Sequence, residues 1–180
     1  RLLGSPFCVY FSGITLALMR DDVRAIFFQV IKDLRVGGTT VAFDSNFRPS
    51  LWDSLGQARD ALQNAWQLTD IAMPTLEDEV KLFGDITVEK LSRKLLDFGV
   101  SAGAVKLGAK GCFAFDSTIG QFCLPKHVRR VVDTTGAGDA FNGGFLAHYF
   151  ETHNIVRSSE FASRLAEQVI GHAGAINRNN

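Results

Sequence analysis

The stretch Asp133-Thr134-Thr135-Gly136-Ala137-Gly138-Asp139-Ala140-Phe141 follows a short apolar pair, Val131-Val132, and opens a helical segment. Two glycines in three residues let the backbone turn sharply, so that successive N–H groups point the same way. At a helix N-terminus those groups and the helix dipole form an anion site. A phosphate fits such a concavity. Asp139 is then out of place electrostatically, unless its carboxylate accepts a proton from a hydroxyl attacking a phosphoryl group held in line. A plain helix start, with Asp139 only answering the dipole, fits the same residues. A dinucleotide fingerprint does not, because Phe141 occupies the position of its third glycine.

Upstream and downstream, apolar strand-like runs alternate with segments of helical periodicity. Strands are predicted at Phe7–Phe11, Thr39–Phe43, Asp70–Met73, Gly103–Leu107, Gly111–Phe115 and Gln121–Leu124, with a last short one at Val131-Val132. Helices are predicted from Asp21 up to the Gly37-Gly38 stop, at Ser54–Leu68, Leu76–Phe83, Thr87–Phe98, Ala137–Phe150 and Ser159–Ala173. The alternation implies βαβ units and an α/β fold with a mainly parallel sheet, with Gly111–Leu124 as an antiparallel hairpin at one end. Ligands of such sheets bind beyond the carboxyl ends of the strands. The residues just after each strand therefore carry the functional information.

Two further post-strand segments qualify. Lys106-Leu107-Gly108-Ala109-Lys110-Gly111 joins two strands through a glycine turn that lets a flat or anionic ligand approach the backbone. It is not a Walker A loop: Gly103 and Gly108 have the spacing, but Ala109 and Lys110 replace the required Lys and Ser/Thr. An ordinary β-turn with an exposed lysine also fits. Phe43-Asp44-Ser45-Asn46-Phe47-Arg48-Pro49-Ser50-Leu51-Trp52 follows another strand, and Arg48 offers a planar fork of donors suited to a carboxylate or phosphate. An Asx-type turn with a surface arginine is the plainer reading there.

The Asp133–Phe141 stretch resembles the C-terminal signature of the ribokinase-like sugar kinases, the phosphofructokinase B family. The resemblance implies a three-layer αβα fold, ATP as phosphoryl donor and Mg²⁺ as its companion. It implies that Gly136, Ala137 and Gly138 form the anion hole and that Asp139 is the catalytic base, touching the substrate hydroxyl. Lys106, Gly108, Ala109 and Gly111 match the family's nucleotide-lining stretch, and Asn46 is implied beside the nucleotide. The Asp44–Trp52 pattern is similar to that of kinases for 2-keto-3-deoxygluconate and also of fructokinases, with Arg48 implied as a substrate and nucleotide contact. A sugar-acid carboxylate would give Arg48 a physical reason that neutral fructose does not. Ser12–Ala17 and the run from Ala72 to Gly84 point to the same subfamily. Where the family carries Asn-x-x-Glu, the chain has Thr75-Leu76-Glu77-Asp78. Asp78 is thereby implied to serve Mg²⁺ through an ordered water, since Mg²⁺ keeps waters and takes oxygen ligands. A charged helix start is the alternative for Glu77 and Glu79.

Composition bounds the remaining classes. The chain has 180 residues, 46% hydrophobic, with 19 basic and 19 acidic residues that balance to zero. That supports a packed core and offers no electrostatic footprint for nucleic acid. The 3 Cys (Cys8, Cys112, Cys123) are odd in number and lack CxxC spacing, so they read as reduced thiols of a cytoplasmic protein. His127, His148, His153 and His172 form no HExxH pattern. The apolar stretch Leu2–Met19 is broken by Gly4, Ser5, Pro6, Ser12, Gly13 and Thr15, so no membrane span is expected. The length suggests one domain. The start at Arg1 and the motif order instead make 1–180 the expected C-terminal part of a single kinase domain, without the family's first strands, glycine-pair substrate motif and β lid. Such a piece is expected to show little activity alone. The parent is expected to bind a small sugar acid and to be a candidate homo-oligomer. Fructokinase specificity and a non-catalytic nucleotide-binding module are the alternatives.

Overall fold

In a computed structural model of the chain, residues 6–125, 131–171 and 174 are described. They fall into two compact units, divided between Val105 and Lys106.

The first unit is built from βαβ repeats. Strand β1 (Cys8–Ser12) leads through a short helix α1 (Gly13–Ala17) into α2 (Asp21–Val36) and β2 (Thr40–Asp44). Helix α3 (Leu55–Gln67) connects to β3 (Ile71–Ala72), and α4 (Leu76–Phe83) and α5 (Val88–Asp97) lead to β4 (Ala102–Lys106). The strands run parallel in chain order, with Ser12 opposite Asp44, Ala42 opposite Ile71 and Ile71 opposite Ala102. Val41, Ala42 and Phe43 are all fully buried, as the uninterrupted apolar run of a strand covered on both faces requires. The Phe43 ring anchors this core between Phe11, 4.9 Å away, and an edge-on Trp66 at 4.6 Å.

Capping explains the helix starts. Ser54 accepts from Gln57 N at 3.1 Å and Thr87 from Lys90 N at 3.3 Å, each satisfying one first-turn amide. Asp70 ties the repeat together: one carboxylate oxygen accepts from Arg35 Nε and the other from Val41 N, both at 2.8 Å.

The second unit holds the antiparallel hairpin β5 (Cys112–Asp116) and β6 (Gly120–Cys123), followed by α6 (Ala137–Thr152) and α7 (Ile155–Val169). Helix α7 packs on the hairpin and on α6. His148 belongs to this helix–helix seam: Nδ1 lies 3.0 Å from Ser158 Oγ and the ring stacks on Phe161.

Several boundaries differ from the sequence reading. Strand β1 runs to Ser12, one residue past the predicted Phe11, and Ser12 then caps helix α1. Helix α7 begins at Ile155, four residues before Ser159, because Asn154 caps it through Arg157 N at 3.0 Å. The predicted end at Ala173, like His127 and His172, lies outside the described residues. Val131-Val132 is exposed loop, not strand. The Val132 amide donates to Ile170 O at 2.8 Å instead of to a neighbouring strand. No helix among the described residues is long and apolar enough to cross a membrane.

Candidate active site

In the second unit the Gly136 turn is built as its sequence requires. Gly136 caps α6 with φ +80°, a left-handed conformation that only glycine adopts without cost. Asp133 braces the approach: its carboxylate accepts from Thr135 N at 2.9 Å and from Gly174 N at 2.9 Å. These amides hold the Asp133 carboxyl below the usual carboxylate range. Asp139 stands exposed in the first turn of α6. Its position there lets solvent, or a ligand hydroxyl, reach the carboxylate.

Lys106 ends β4 and is buried. Its ammonium donates to Asn142 Oδ1 at 3.1 Å. A side chain grown on Gly138 would begin 3.8 Å from Lys106 Nζ. The first turn of α6 and the Lys106 charge therefore adjoin, and amides, dipole and ammonium together favour an anion. Between Lys106 and the hairpin, Gly108–Lys110 make one 3₁₀ turn, closed by Leu107 N donating to Gly111 O at 2.8 Å. Gly108, Ala109 and Lys110 are exposed. Gly111 has φ +86°, and a Cβ there would sit 2.2 Å from Cys123 O, so no other residue fits.

Asn142 was not singled out from sequence. The available signal was an amide one turn after Asp139, between Phe141 and Phe145, both buried. A polar side chain in that setting needs a partner.

In the first unit the Asp44–Trp52 loop is held from beneath. Asp44 and Ser45 are buried, and Asn46 adopts φ +31°, with its amide donating to Asp44 Oδ1 at 3.1 Å. Phe47 N donates to Asp78 Oδ2 at 3.1 Å. Arg48 is exposed and its charge acts on Asp78. Burial raises the Asp78 carboxyl, against the lowering pull of the Phe47 amide, Arg48 and Lys81. Asp78 thus supports the loop that presents Arg48. Among the described residues, no group of three His, Cys, Asp or Glu side chains is placed to hold a metal ion.

Glu77 and Glu79 part ways. Glu77 is exposed and pairs with Lys81 at 3.1 Å, as a charged helix start should. Glu79 is 1% exposed. Burial pushes its carboxyl up to about 7, against the lowering influence of the Ser45 hydroxyl and Lys94. Gly13 lies against the same loop: a Cβ would stand 1.9 Å from the Ser45 carbonyl oxygen. Trp52 closes the segment under Arg24, whose guanidinium sits 5.1 Å from the ring centroid and donates to Leu16 O and Met19 O.

A family model described as pfkB family carbohydrate kinase matches residues 2–180. The 2-dehydro-3-deoxygluconokinase of Haemophilus influenzae is 36% identical over 170 residues, covering 93% of this chain and 54% of that protein. The Vibrio cholerae fructokinase, solved with fructose, ADP and calcium bound, superposes with a TM-score of 0.82 at 28% identity, over 93% of this chain and 56% of that one. The aminoimidazole riboside kinase of Salmonella enterica, solved with its riboside and an ATP analogue, gives a TM-score of 0.81 at 25% identity, over 93% and 57%. The chain spans about half the length of each of these relatives. With a ribokinase-like α/β fold and a family match over nearly its full length, the chain belongs to the pfkB family of carbohydrate kinases.

Proposed function

We propose that these 180 residues are the C-terminal part of one kinase domain, and that the whole protein transfers a phosphoryl group from ATP to the C6 hydroxyl of 2-keto-3-deoxygluconate (2-dehydro-3-deoxygluconate) in the cytoplasm. The observation that carries the phosphoryl-transfer reading is Lys106, fixed by Asn142 beside the first turn of α6. The sugar-acid reading is supported by Arg48, exposed on a loop braced by Asp78, and by the likeness to 2-dehydro-3-deoxygluconokinases.

In this proposal Gly136, Ala137 and Gly138 offer their amides to the charge growing on the transferred phosphoryl group, the Ala137 amide leaving Thr134 O, to which it donates at 3.2 Å. Asp139 takes the proton of the attacking hydroxyl, a contribution of about 10²–10⁴-fold in comparable sites. Lys106, Gly108, Ala109, Gly111 and Asn46 line the nucleotide, and Arg48 orients the sugar carboxylate. Mg²⁺, when bound, would neutralise phosphate charge. Asp78 is the residue assigned to it, through an ordered water, in keeping with one oxygen already committed to Phe47 N.

The likeness to fructokinase keeps a neutral-sugar alternative. Phosphorus NMR of the products, with 2-keto-3-deoxygluconate and fructose offered separately to the full-length protein, decides between them. A 6-phosphorylated sugar acid made at the higher kcat/KM supports the proposal, and preferential phosphorylation of fructose overturns it.

A further inference from the structure

Cys112 and Cys123 face each other across the β5–β6 hairpin as direct register partners. Asp116 N donates to Ile119 O at 2.9 Å, which closes the hairpin with a hydrogen-bonded pair. Such pairs alternate along an antiparallel ladder, so Ala114/Gln121 and Cys112/Cys123 are of the same kind. The Cα atoms of a hydrogen-bonded pair stand about 5.5 Å apart. That lies within the roughly 4.4–6.8 Å that a disulfide spans without moving the backbone. Directly opposed residues also project from the same face of the ladder.

Both side chains are free thiols, and both are buried. They also act on each other. Contact with Cys112 holds the Cys123 thiol below its ordinary range, while the same contact and burial push Cys112 up. The Cys112 sulfur lies 3.8 Å from Ser163 Oγ on α7. Cys8 has no such arrangement: its register partner is Thr40, and burial raises its thiol. Gly120, Gln121 and Phe122 on β6 and Leu124 beyond it are exposed. Local opening of that strand gives up little buried surface and lets Cys123 meet a solute.

We propose that Cys112 and Cys123 form a reversible thiol–disulfide pair, oxidised by a small disulfide of the glutathione type. The Cys123 thiolate attacks one sulfur of the oxidant, forms a mixed disulfide and releases one small thiolate. Cys112 then attacks the Cys123 sulfur and releases the second. Two protein thiols are oxidised, one small disulfide is reduced to two thiols, and the two protein protons end on those thiols. The bond ties the strands at the foot of the Lys106–Gly111 turn, where the Gly111 backbone already abuts Cys123 O.

The test is equilibration of the protein with oxidised glutathione in the absence of denaturant, followed by alkylation and non-reducing peptide mapping. Free thiols fall from three per chain to one, the mass drops by that of two hydrogens, and one crosslinked peptide joins Cys112 to Cys123. Dithiothreitol restores all three thiols. Cys8→Ser keeps the crosslink and Cys123→Ser abolishes it. Should Cys123→Ser fail to fold, the wild-type map alone decides. Persistent free thiols at both positions, a bridge to Cys8, a lasting glutathione adduct on Cys123, or a bridge formed only in denaturant would each overturn the proposal.

Discussion

Lys106 Nζ and Asn142 Oδ1 meet at 3.1 Å, joining the start of the Lys106–Gly111 turn to the second turn of α6. Removing the amide strips a buried ammonium of one acceptor, and the loss of such a bond costs about 1–3 kcal/mol. Asn142→Leu is therefore expected to lower stability by about that amount in urea titrations. It is also expected to weaken ATP binding about ten-fold, measured by calorimetry, if each lost charge-positioning contact is worth about 1.4 kcal/mol. Lys110→Ala, on the exposed turn, should leave stability unchanged.

Glu79 predicts a pH dependence with a definite sign. Its carboxyl titrates near 7 in the fold, against 4.5 when unperturbed. Between these values the folded state binds more protons than the unfolded one, so stability falls as pH rises. The full contribution is present below pH 4.5 and is lost once pH passes about 7. The loss amounts to about 3 kcal/mol, from a shift of two to three units at 1.36 kcal/mol each. Denaturant unfolding at pH 5 and pH 8 should show it, and Glu79→Gln should remove most of it. An unchanged slope in Glu79→Gln would place the dependence on another group.

Gly13 predicts the cost of a single methyl group. The Cβ of Gly13→Ala would meet the Ser45 carbonyl oxygen at 1.9 Å, and backbone cannot yield as a flexible side chain does. A destabilisation of about 1–3 kcal/mol or more is expected from overpacking. Because Ser45 leads into the Asn46–Arg48 loop, KM for the sugar and KM for ATP should both rise.

These positions show what was legible in the sequence. The Asp133–Phe141 turn could be read because all its determinants are local: two glycines, an acid and the helix that follows. Strand β2 was legible because burial on both faces leaves an unbroken apolar run. Asn142 was not, because its partner lies 36 residues away in the chain. Glu79 sat among acids that suit any helix start, and only packing separates it from the exposed Glu77. Gly13 read as one of the residues that interrupt the Leu2–Met19 stretch, whereas its reason is the close passage of the Ser45 backbone. The start of α7 was placed late because the polar run Arg157-Ser158-Ser159 masked the Asn154 cap.

Arg48 separates sugar acids from neutral sugars in the proposed reaction. Arg48→Leu removes the fork offered to a carboxylate, and charge-assisted hydrogen bonds contribute about 1.5–3 kcal/mol. A loss of about 10–100-fold in kcat/KM for 2-keto-3-deoxygluconate is expected, with fructose little changed. Equal losses for both sugars would assign Arg48 to the nucleotide or to the loop itself.

Proton transfer to Asp139 is the step on which the proposed reaction depends, and kinetics of Asp139→Asn in the full-length enzyme measure it. ATP binding should stay within a few-fold of wild type while kcat for 2-keto-3-deoxygluconate falls by about 10²–10⁴-fold. Turnover close to wild type in that variant would contradict it.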